Sequence, residues 1–121
     1  MITVGYVNVF VTDLASALEF YERKLGLEPV RVDGEHGYAS FDGGPITLGL
    51  AVVDGAHAAL AGRHTGIGLA VSDLEAEHKR LVELGVEFES PPARQPWGGF
   101  MAVVKDPSGN RLYLDEVSAA H

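Results

Sequence analysis

The chain contains 121 residues, of which 46% are hydrophobic, and this is enough for one domain with a substantial buried core. It has no cysteine, which excludes disulfide frameworks and thiolate metal sites, and it has no apolar run of the length that crosses a membrane. The formal net charge of −8, with nine scattered lysines and arginines, disfavours nucleic acid as a partner. We therefore expect a cytoplasmic protein with no membrane or nucleic-acid partner.

The first predicted elements are a strand over YVNVFV, in which valines alternate with other residues, and a helix after it. Thr12 or Asp13 can accept hydrogen bonds from the free amides at the start of that helix. Gly26 ends it, because glycine takes the left-handed cap conformation without steric cost. The apolar stripe of the helix recurs at steps of four, three and four residues and consists of Leu14, Leu18, Tyr21 and Leu25.

Three more strands complete the first half of the chain, in GLEPVRV, HGYASF and ITLGLAVV. Residues 43–45, Gly-Gly-Pro, mark a turn between the last two. The segment VDGAHAALAGRHT, residues 53–65, is interpreted as the connection to the second half of the chain. As domain bounds, we assign the first module to about residues 1–53 and the connector to residues 54–65.

The second half repeats the same order. A strand over GIGLAV precedes Ser72 and Asp73, and Ser72 with Glu75 has the spacing of a capping box. The strands VEFES, GGFMAVV and RLYLDE follow the helix, with breaks predicted at residues 91–92, Pro-Pro, and 106–109, Asp-Pro-Ser-Gly. The helix ends at Gly85, and its predicted apolar stripe consists of Leu74, Leu81 and Leu84, with His78 on the helix surface or at the edge of the core.

The order of elements, a strand, a helix and three strands, occurs twice in the chain. This repeat indicates two βαβββ modules in a single α+β domain, the second at about residues 66–118. One such module leaves a face of its sheet uncovered, so we expect modules to pack in pairs around a cup-shaped cavity, either within one chain or across a dimer.

The chain resembles the vicinal oxygen chelate superfamily, which contains glyoxalase I, extradiol dioxygenases and bleomycin-resistance proteins. The resemblance is carried by VNVFVTDLASALEFYERKLGL near the start and KDPSGNRLYLDE near the end, with the ordered pieces between them. It implies curved mixed sheets, a cup-shaped site and a homodimer. Because this fold hosts lyases, dioxygenases, epimerases and non-catalytic antibiotic binders, the resemblance alone does not choose a reaction.

Alternation assigns side chains to the open faces of the two sheets. If the valines of the first strand pack under the helix, then Tyr6, Asn8 and Phe10 point the other way. In the last strand Leu112 and Leu114 belong to the core, and their neighbours face the cavity. The predicted ligand-binding residues are Tyr6, Asn8, Phe10, Tyr38, Thr47, Gly66, Trp97, Arg111, Tyr113 and Asp115. Arg111 and Asp115 could instead form an ion pair with each other, and the sequence does not favour ligand contact over that ion pair.

The positions that bind metal in related proteins carry poor donors here. In the metal-using relatives the first strand of each module supplies a histidine or similar ligand, and the last strand supplies a glutamate. The resemblance places these positions at Tyr6, Gly66 and Tyr113, and a further ligand at Thr47 or Gly49. Glycine has no donor side chain, and tyrosine binds only as phenolate, so we predict no metal and no cofactor.

His64 keeps one alternative open, because it lies two residues before Gly66 and shares its face if the strand begins early. With Asp115 or Glu116 it could build a different metal site. The other histidines in turns or at the terminus, which are His36, His57 and His121, are interpreted as solvated.

Trp97, the single tryptophan, follows a proline-rich stretch and precedes two glycines. Its indole can stack on a planar ligand or cover a cation, although tryptophans also cover cores or lie in dimer interfaces. Residues 106–109 form a turn rather than a phosphate loop, because no helix follows them.

These features favour a metal-free binding protein that sequesters a planar or partly cationic organic compound, in the manner of bleomycin-resistance proteins. Two alternatives stay open. One is a metal-dependent lyase or dioxygenase with ligands elsewhere. The other is a metal-free enzyme in which Tyr6 or Tyr113 acts as an acid, a base or a hydrogen-bond donor.

Overall fold

The computed structural model describes residues 1–117, which divide into two compact units. The first unit comprises Met1–Arg63 with Pro107–Asn110, and the second comprises His64–Asp106 with the chain from Arg111. Each unit holds one four-stranded mixed sheet, and the predicted α+β class is confirmed. None of the helices within residues 1–117 has the length and apolar character needed to span a bilayer. His121, predicted to be solvated, lies outside the described residues.

The first unit has the predicted order of strand, helix and three strands. Its sheet runs β1-β4-β3-β2, with β1 parallel to β4 and the other pairs antiparallel. A short 3₁₀ turn, Gly55–Leu60, follows the last strand. The elements are β1 (Tyr6–Val11), α1 (Leu14–Leu18), a π-helical continuation of α1 (Glu19–Lys24), β2 (Pro29–Asp33), β3 (Tyr38–Asp42) and β4 (Thr47–Val52).

The predicted stripe of the first helix is confirmed only in part, because the most deeply buried positions include residues that the prediction left out. Of the expected stripe only Tyr21 is fully buried, and the three leucines are half-buried. Ala17 lies on the same side as Tyr21, four residues before it, and Phe20 is buried beside Tyr21 in the π-helical continuation that begins at Glu19. The sheet side of the core is as predicted, with Val9 and Val11 of β1 buried.

Aspartates cap both helices. Asp13 accepts a hydrogen bond from the Ser16 amide at 2.9 Å, and Asp73 accepts one from the Ala76 amide at 3.1 Å. The bond from the Ser16 amide lowers the pKa of Asp13. Thr12 and Ser72 therefore are not the caps, and the capping box predicted for Ser72 is replaced by the cap at Asp73, because only the aspartate stands one residue before the helix.

The second unit repeats the order and has the sheet β5-β8-β7-β6, with β5 parallel to β8. The elements are β5 (His64–Val71), α2 (Leu74–Glu83), β6 (Glu87–Arg94), β7 (Phe100–Lys105) and β8 (Arg111–Glu116). Gly85, with φ of 83°, ends the helix as predicted.

Two strand boundaries differ from the predictions. β5 begins at His64, inside the predicted connector. β6 continues through Pro91 and Pro92, where a break was predicted. Proline is tolerated there because β6 is an edge strand, whose outward amides need no partner, and because its register shifts between Ser90 and Ala93.

The core of the second unit lies between its sheet and α2. Leu112 and Leu114 are buried, as the alternation predicted, together with Leu74 and Leu81 of the helix. The prediction for Leu84 is wrong: it is 46% exposed, because α2 ends at Glu83 and Leu84 occupies the cap. The His78 ring packs edge-on against Phe88 at the margin of this core.

The predicted turn before the last strand is confirmed, and residues 107–110 belong to the first unit. The Asn110 side chain, 1% exposed, accepts hydrogen bonds from the amides of Gly62 and Arg63 at 2.8 and 3.2 Å. Its Nδ2 donates to the Phe10 carbonyl at 2.8 Å, and the Ser108 hydroxyl accepts from the Thr12 amide at 2.9 Å. The turn thus fixes the end of β1 to a segment about a hundred residues away.

Candidate functional site

The outer face of the second sheet, defined as the face opposite α2, carries half of the predicted ligand-binding residues. On this face Tyr113 pairs with Gly68 on β5 and Val103 on β7. One step along the strands, Asp115 lies beside Met101. These pairings follow from the alternation that buries Leu112 and Leu114 on the other face.

This face holds a groove with a volume of about 620 Å³. Its walls are mainly apolar and aromatic, with a few polar groups, and that is the composition common in small-molecule sites. The principal lining residues are Ser90, Gln95, Trp97, Met101, Val103 and Tyr113.

Trp97 stands on the hairpin that joins β6 to β7. The Gln95 amide donates to the Gly99 carbonyl at 2.7 Å, and the Gly98 amide donates to the Gln95 carbonyl at 2.9 Å, so the turn is closed at both ends. A Cβ on Gly99 would lie 2.8 Å from the indole nitrogen, so glycine provides the space in which the indole lies against the backbone. The indole itself is 73% exposed and available to a ligand.

The cations on the outer face of the second sheet are paired. The Arg111 Nε lies 3.8 Å from Glu89, and the Lys105 Nζ lies 2.8 Å from Glu87. The interpretation of Arg111 as an ion-pair partner of Asp115 is therefore wrong, since Glu89 on the bulged β6 takes that place. Within residues 1–117, Asp115 makes no ion pair. It is the register partner of Met101, so its negative charge lies next to a residue that lines the groove.

His64 lies beside Tyr113. Its ring centroid is 4.6 Å from that of Tyr113, and its Nδ1 accepts a hydrogen bond from the Gly66 amide at 3.0 Å. An Nδ1 that accepts leaves the proton of the neutral ring on Nε2. Gly66 has φ of 73°, a conformation that a side chain disfavours, and so it permits this local loop of β5.

The register of β8 rules out the alternative metal site at His64. His64 pairs with Arg111, whereas Asp115 pairs with Ala70. Four residues of strand separate Arg111 from Asp115, or about 13 Å. Ligands of one metal ion lie about 2 Å from it, so His64 and Asp115 cannot share an ion, and Glu116 is one residue farther away.

The residues at the metal positions of related proteins do not fit a metal ion. Gly66 has no side-chain donor, and its amide is hydrogen-bonded to His64. Tyr6 is 63% exposed, and Thr47 and Tyr113 offer only hydroxyls. Across residues 1–117 no three histidine, aspartate or glutamate side chains form a cluster that could hold a metal.

The outer face of the first sheet, opposite α1, carries the other predicted residues. Asn8 pairs in register with Gly49, Tyr6 pairs with Thr47, and Phe10 and Tyr38 pair with Ala51 from its two sides. The structure thus groups the ten predicted residues into two sets of five. Tyr6, Asn8, Phe10, Tyr38 and Thr47 lie on the first sheet, and Gly66, Trp97, Arg111, Tyr113 and Asp115 lie on the second.

Sequence reasoning missed four of the principal lining residues of the groove, Met101, Val103, Ser90 and Gln95. The signal for the first two was present, because Met101 and Val103 alternate with Ala102 and Val104, which are buried. Ser90 carried no such signal, since its face depends on the register shifts of β6.

Comparisons with known proteins identify related sequences and structures. Residues 3–114 match the family model described as Glyoxalase/Bleomycin resistance protein/Dioxygenase superfamily. The chain is 28% identical over 119 residues to the uncharacterized protein YraH of Bacillus subtilis (strain 168), covering 89% of this chain and 93% of that protein. The crystal structure of a member of the same superfamily from Sphaerobacter thermophilus DSM 20745 has a TM-score of 0.78 and 29% identity, covering 97% of this chain and 98% of that one. The crystal structure of UcmS2 has a TM-score of 0.79 and 29% identity, with coverage of 95% and 98%.

Proposed function

The chain belongs to the Glyoxalase/Bleomycin resistance protein/Dioxygenase superfamily, and we propose that it is a metal-free binding protein that sequesters a planar, cationic organic molecule. The observation that carries the proposal is the groove on the outer face of the second sheet, with the exposed indole of Trp97 beside the half-buried ring of Tyr113. Its volume of about 620 Å³ lies in the range of small-molecule sites.

The lining of the groove favours a flat ligand. Trp97 and Tyr113 offer aromatic faces, and Met101 offers a polarisable thioether that adapts to the shape of a ring. Ser90 and Gln95 supply a small number of polar groups that orient a ligand without dominating the surface.

Charge favours a cation. Arg111 and Lys105 are each paired with a glutamate, so they do not oppose a positive ligand. Asp115 makes no ion pair within the described residues, and the chain as a whole carries a net charge of −8. Both the local and the overall field therefore attract cations, and an indole face binds them further.

The donor chemistry supports binding without a metal. Glycine, threonine and two tyrosines stand where related proteins place metal ligands, and these side chains are poor donors for a divalent cation. A binding site built from stacking and a few polar contacts needs no such ion.

Fluorescence of Trp97 provides the primary test, because it is the single tryptophan of the chain. Proflavine, a planar cation, should quench it saturably at micromolar concentration, while anthracene-9-carboxylate, a planar anion of similar size, should bind at least about tenfold more weakly. Equal affinity for the two dyes would contradict the assignment of charge preference.

Variants of Trp97 test whether proflavine binds in the groove. Trp97→Ala should weaken proflavine binding by about 1 to 3 kcal/mol, measured by calorimetry because the variant has lost its fluorophore. Trp97→Phe is the matched control and should keep part of the affinity, since it retains an aromatic face. Unchanged binding in Trp97→Ala would return this residue to a structural role.

Two further outcomes would replace the proposal. Stoichiometric zinc, nickel, manganese or iron in protein purified without chelator would favour a metal-dependent lyase or dioxygenase. Turnover of a bound compound by metal-free protein would favour an enzyme that uses Tyr6 or Tyr113.

We also propose a homodimer. β2 forms an edge of the first sheet and exposes Val30 and Val32. An exposed apolar edge strand is a template for pairing with a second chain. Light scattering after gel filtration should give twice the mass of one chain, and Val32→Lys should shift it toward the monomer. A wild-type protein that elutes as a monomer at high concentration would end this proposal.

A further inference from the structure

A polar cluster surrounds Gly49 on the outer face of the first sheet. Asn8 and Ser40 are the register partners of Gly49 on the two neighbouring strands, and Ser40 is buried. Tyr38 lies farther along β3, and its hydroxyl reaches back over Gly49. Three hydrogen-bonding side chains therefore converge on one glycine.

The carbonyl oxygen of the Asn8 side chain is sealed from solvent, and among residues 1–117 it is the buried side-chain polar atom that has no hydrogen-bond partner. Native proteins pair the large majority of such atoms, because an unpaired buried acceptor has lost its water without compensation. Asn8 Oδ1 is thus an acceptor that the described side chains leave unpaired, and a donor from outside the chain could satisfy it.

Gly49 makes room for the cluster. A Cβ at this position would overlap the Asn8 oxygen and would lie 2.8 Å from the Tyr38 hydroxyl. Gly49 is absent from the glycines of residues 1–117 that have positive φ, so its backbone does not require glycine. Glycine weakens the interior of a strand, and its presence there marks a close approach of other groups. Space, and not backbone conformation, is therefore what glycine provides here.

We propose that this cluster is a subsite for a neutral carboxamide group. The N–H of the carboxamide donates to Asn8 Oδ1, and its carbonyl oxygen accepts from the Tyr38 hydroxyl. A carboxamide presents a donor and an acceptor side by side, and over Gly49 the Asn8 Oδ1 offers an acceptor while the Tyr38 hydroxyl offers a donor. Because Asn8, Tyr38, Ser40 and Gly49 are uncharged, a charged group would find no ion pair among them.

Entry to the subsite depends on Tyr38. The Asn8 oxygen is sealed, and the tip of the Tyr38 ring lies beside it over Gly49. The donor can reach the oxygen only when this ring turns aside, so binding is coupled to movement of the Tyr38 side chain. The subsite lies on the first sheet and goes beyond the proposed function, which uses the groove of the second.

A titration followed by ¹H–¹⁵N NMR tests the subsite with benzamide as the probe. Acetophenone is the matched control, because it keeps the ring and the carbonyl but has no N–H. Benzamide should shift the side-chain amide of Asn8 and the backbone amide of Gly49 saturably, with an affinity about tenfold above that of acetophenone, as expected for one hydrogen bond to an otherwise unpaired acceptor. Equal affinities, or no shift at Asn8, would overturn the proposal.

Two variants separate recognition from folding. Asn8→Leu replaces the side chain that carries the unpaired oxygen with an apolar group of similar shape, so it should keep or raise the thermal midpoint while it abolishes the preference for benzamide. A lowered midpoint would show that the oxygen is already satisfied internally and would contradict the proposal. Tyr38→Phe keeps the ring over Gly49 and should weaken benzamide and acetophenone by the same factor.

Failure here is distinguishable from failure of the proposed function. The proflavine assay reads Trp97 on the second sheet, whereas this titration reads Asn8 and Gly49 on the first. Either result can be negative while the other is positive.

Discussion

Replacing Asn110 with alanine should be among the most destabilising single changes in the first unit. The side chain is 1% exposed and makes three hydrogen bonds, two as an acceptor from the amides of Gly62 and Arg63 and one as a donor to the Phe10 carbonyl. These bonds join three segments that are distant in the sequence. Their loss removes one of the contacts that hold the end of β1 to the turn at residues 107–110, and the bond from the Thr12 amide to the Ser108 hydroxyl remains.

The magnitude follows from the surroundings of each group. One hydrogen bond contributes about 1 kcal/mol net, and a buried group left unpaired loses more. Gly62 and Arg63 are exposed, so their amides regain water, whereas the carbonyl of the half-buried Phe10 regains less. We expect Asn110→Ala to lower the free energy of unfolding by about 2 to 3 kcal/mol, which for a chain of this size lowers the thermal midpoint by about 8 to 12 °C.

Urea unfolding followed by circular dichroism measures this loss, with Lys79→Ala on the exposed side of α2 as the control. Asn110→Asp keeps the acceptor for Gly62 and Arg63 but sets a carboxylate against the Phe10 carbonyl, so its stability should rise when acid protonates the new carboxyl. Hydrogen exchange at Gly62 and Arg63 should accelerate in Asn110→Ala, which loses the acceptor, and should change less in Asn110→Asp, which keeps it. A loss below about 0.5 kcal/mol for Asn110→Ala would refute the reasoning, because surface substitutions reach that value without removing any such contact.

Three other outcomes are expected. Asp73→Ala removes the cap of α2 and should lower the free energy of unfolding in urea by about 1 kcal/mol. Asp73→Asn keeps an acceptor and should lower it less. Equal losses in the two variants would show that the side-chain hydrogen bond does not stabilise the helix. Gly66→Ala should cost about 1 kcal/mol, because φ of 73° strains an L-residue, and a neutral result would show that β5 rearranges at no cost. Hydrogen bonds from the His36 side chain and amide, with Arg31 nearby, lower the pKa of Asp33 below its ordinary 3.8. A lowered carboxyl pKa means that the unfolded chain binds more protons, so this stabilisation is present above pH 3.8 and is lost as the pH falls through the folded-state value. Asp33→Asn should therefore make the thermal midpoint depend less on pH below pH 5. An unchanged dependence on pH would contradict the assignment.

Much of the fold was predictable because its signals are local. Alternation along RLYLDE predicted that Leu112 and Leu114 are buried, and glycine at positions 26 and 85 predicted where the helices end. These signals depend on residues a few positions apart, which contact each other in any fold that forms the element. The stripe predicted for the first helix leaves out Phe20, which is buried in the π-helical continuation, because a stripe drawn at α-helical spacing does not anticipate that geometry.

The features of the candidate site can likewise be separated into those that depend on local sequence and those that depend on contacts between distant segments. The sequence by itself determined the order of the elements, the faces of the strands and the poor donor chemistry at Tyr6, Gly66 and Tyr113, since each of these depends on residue type and parity. Only the tertiary structure decided that Arg111 pairs with Glu89, because that contact depends on the bulged register of β6. It also decided that the Asn8 oxygen is buried without a partner over a glycine, since strands distant in the sequence must pair before such a cluster exists. Contacts between distant segments depend on strand pairing and register, and no local pattern of residues encodes them.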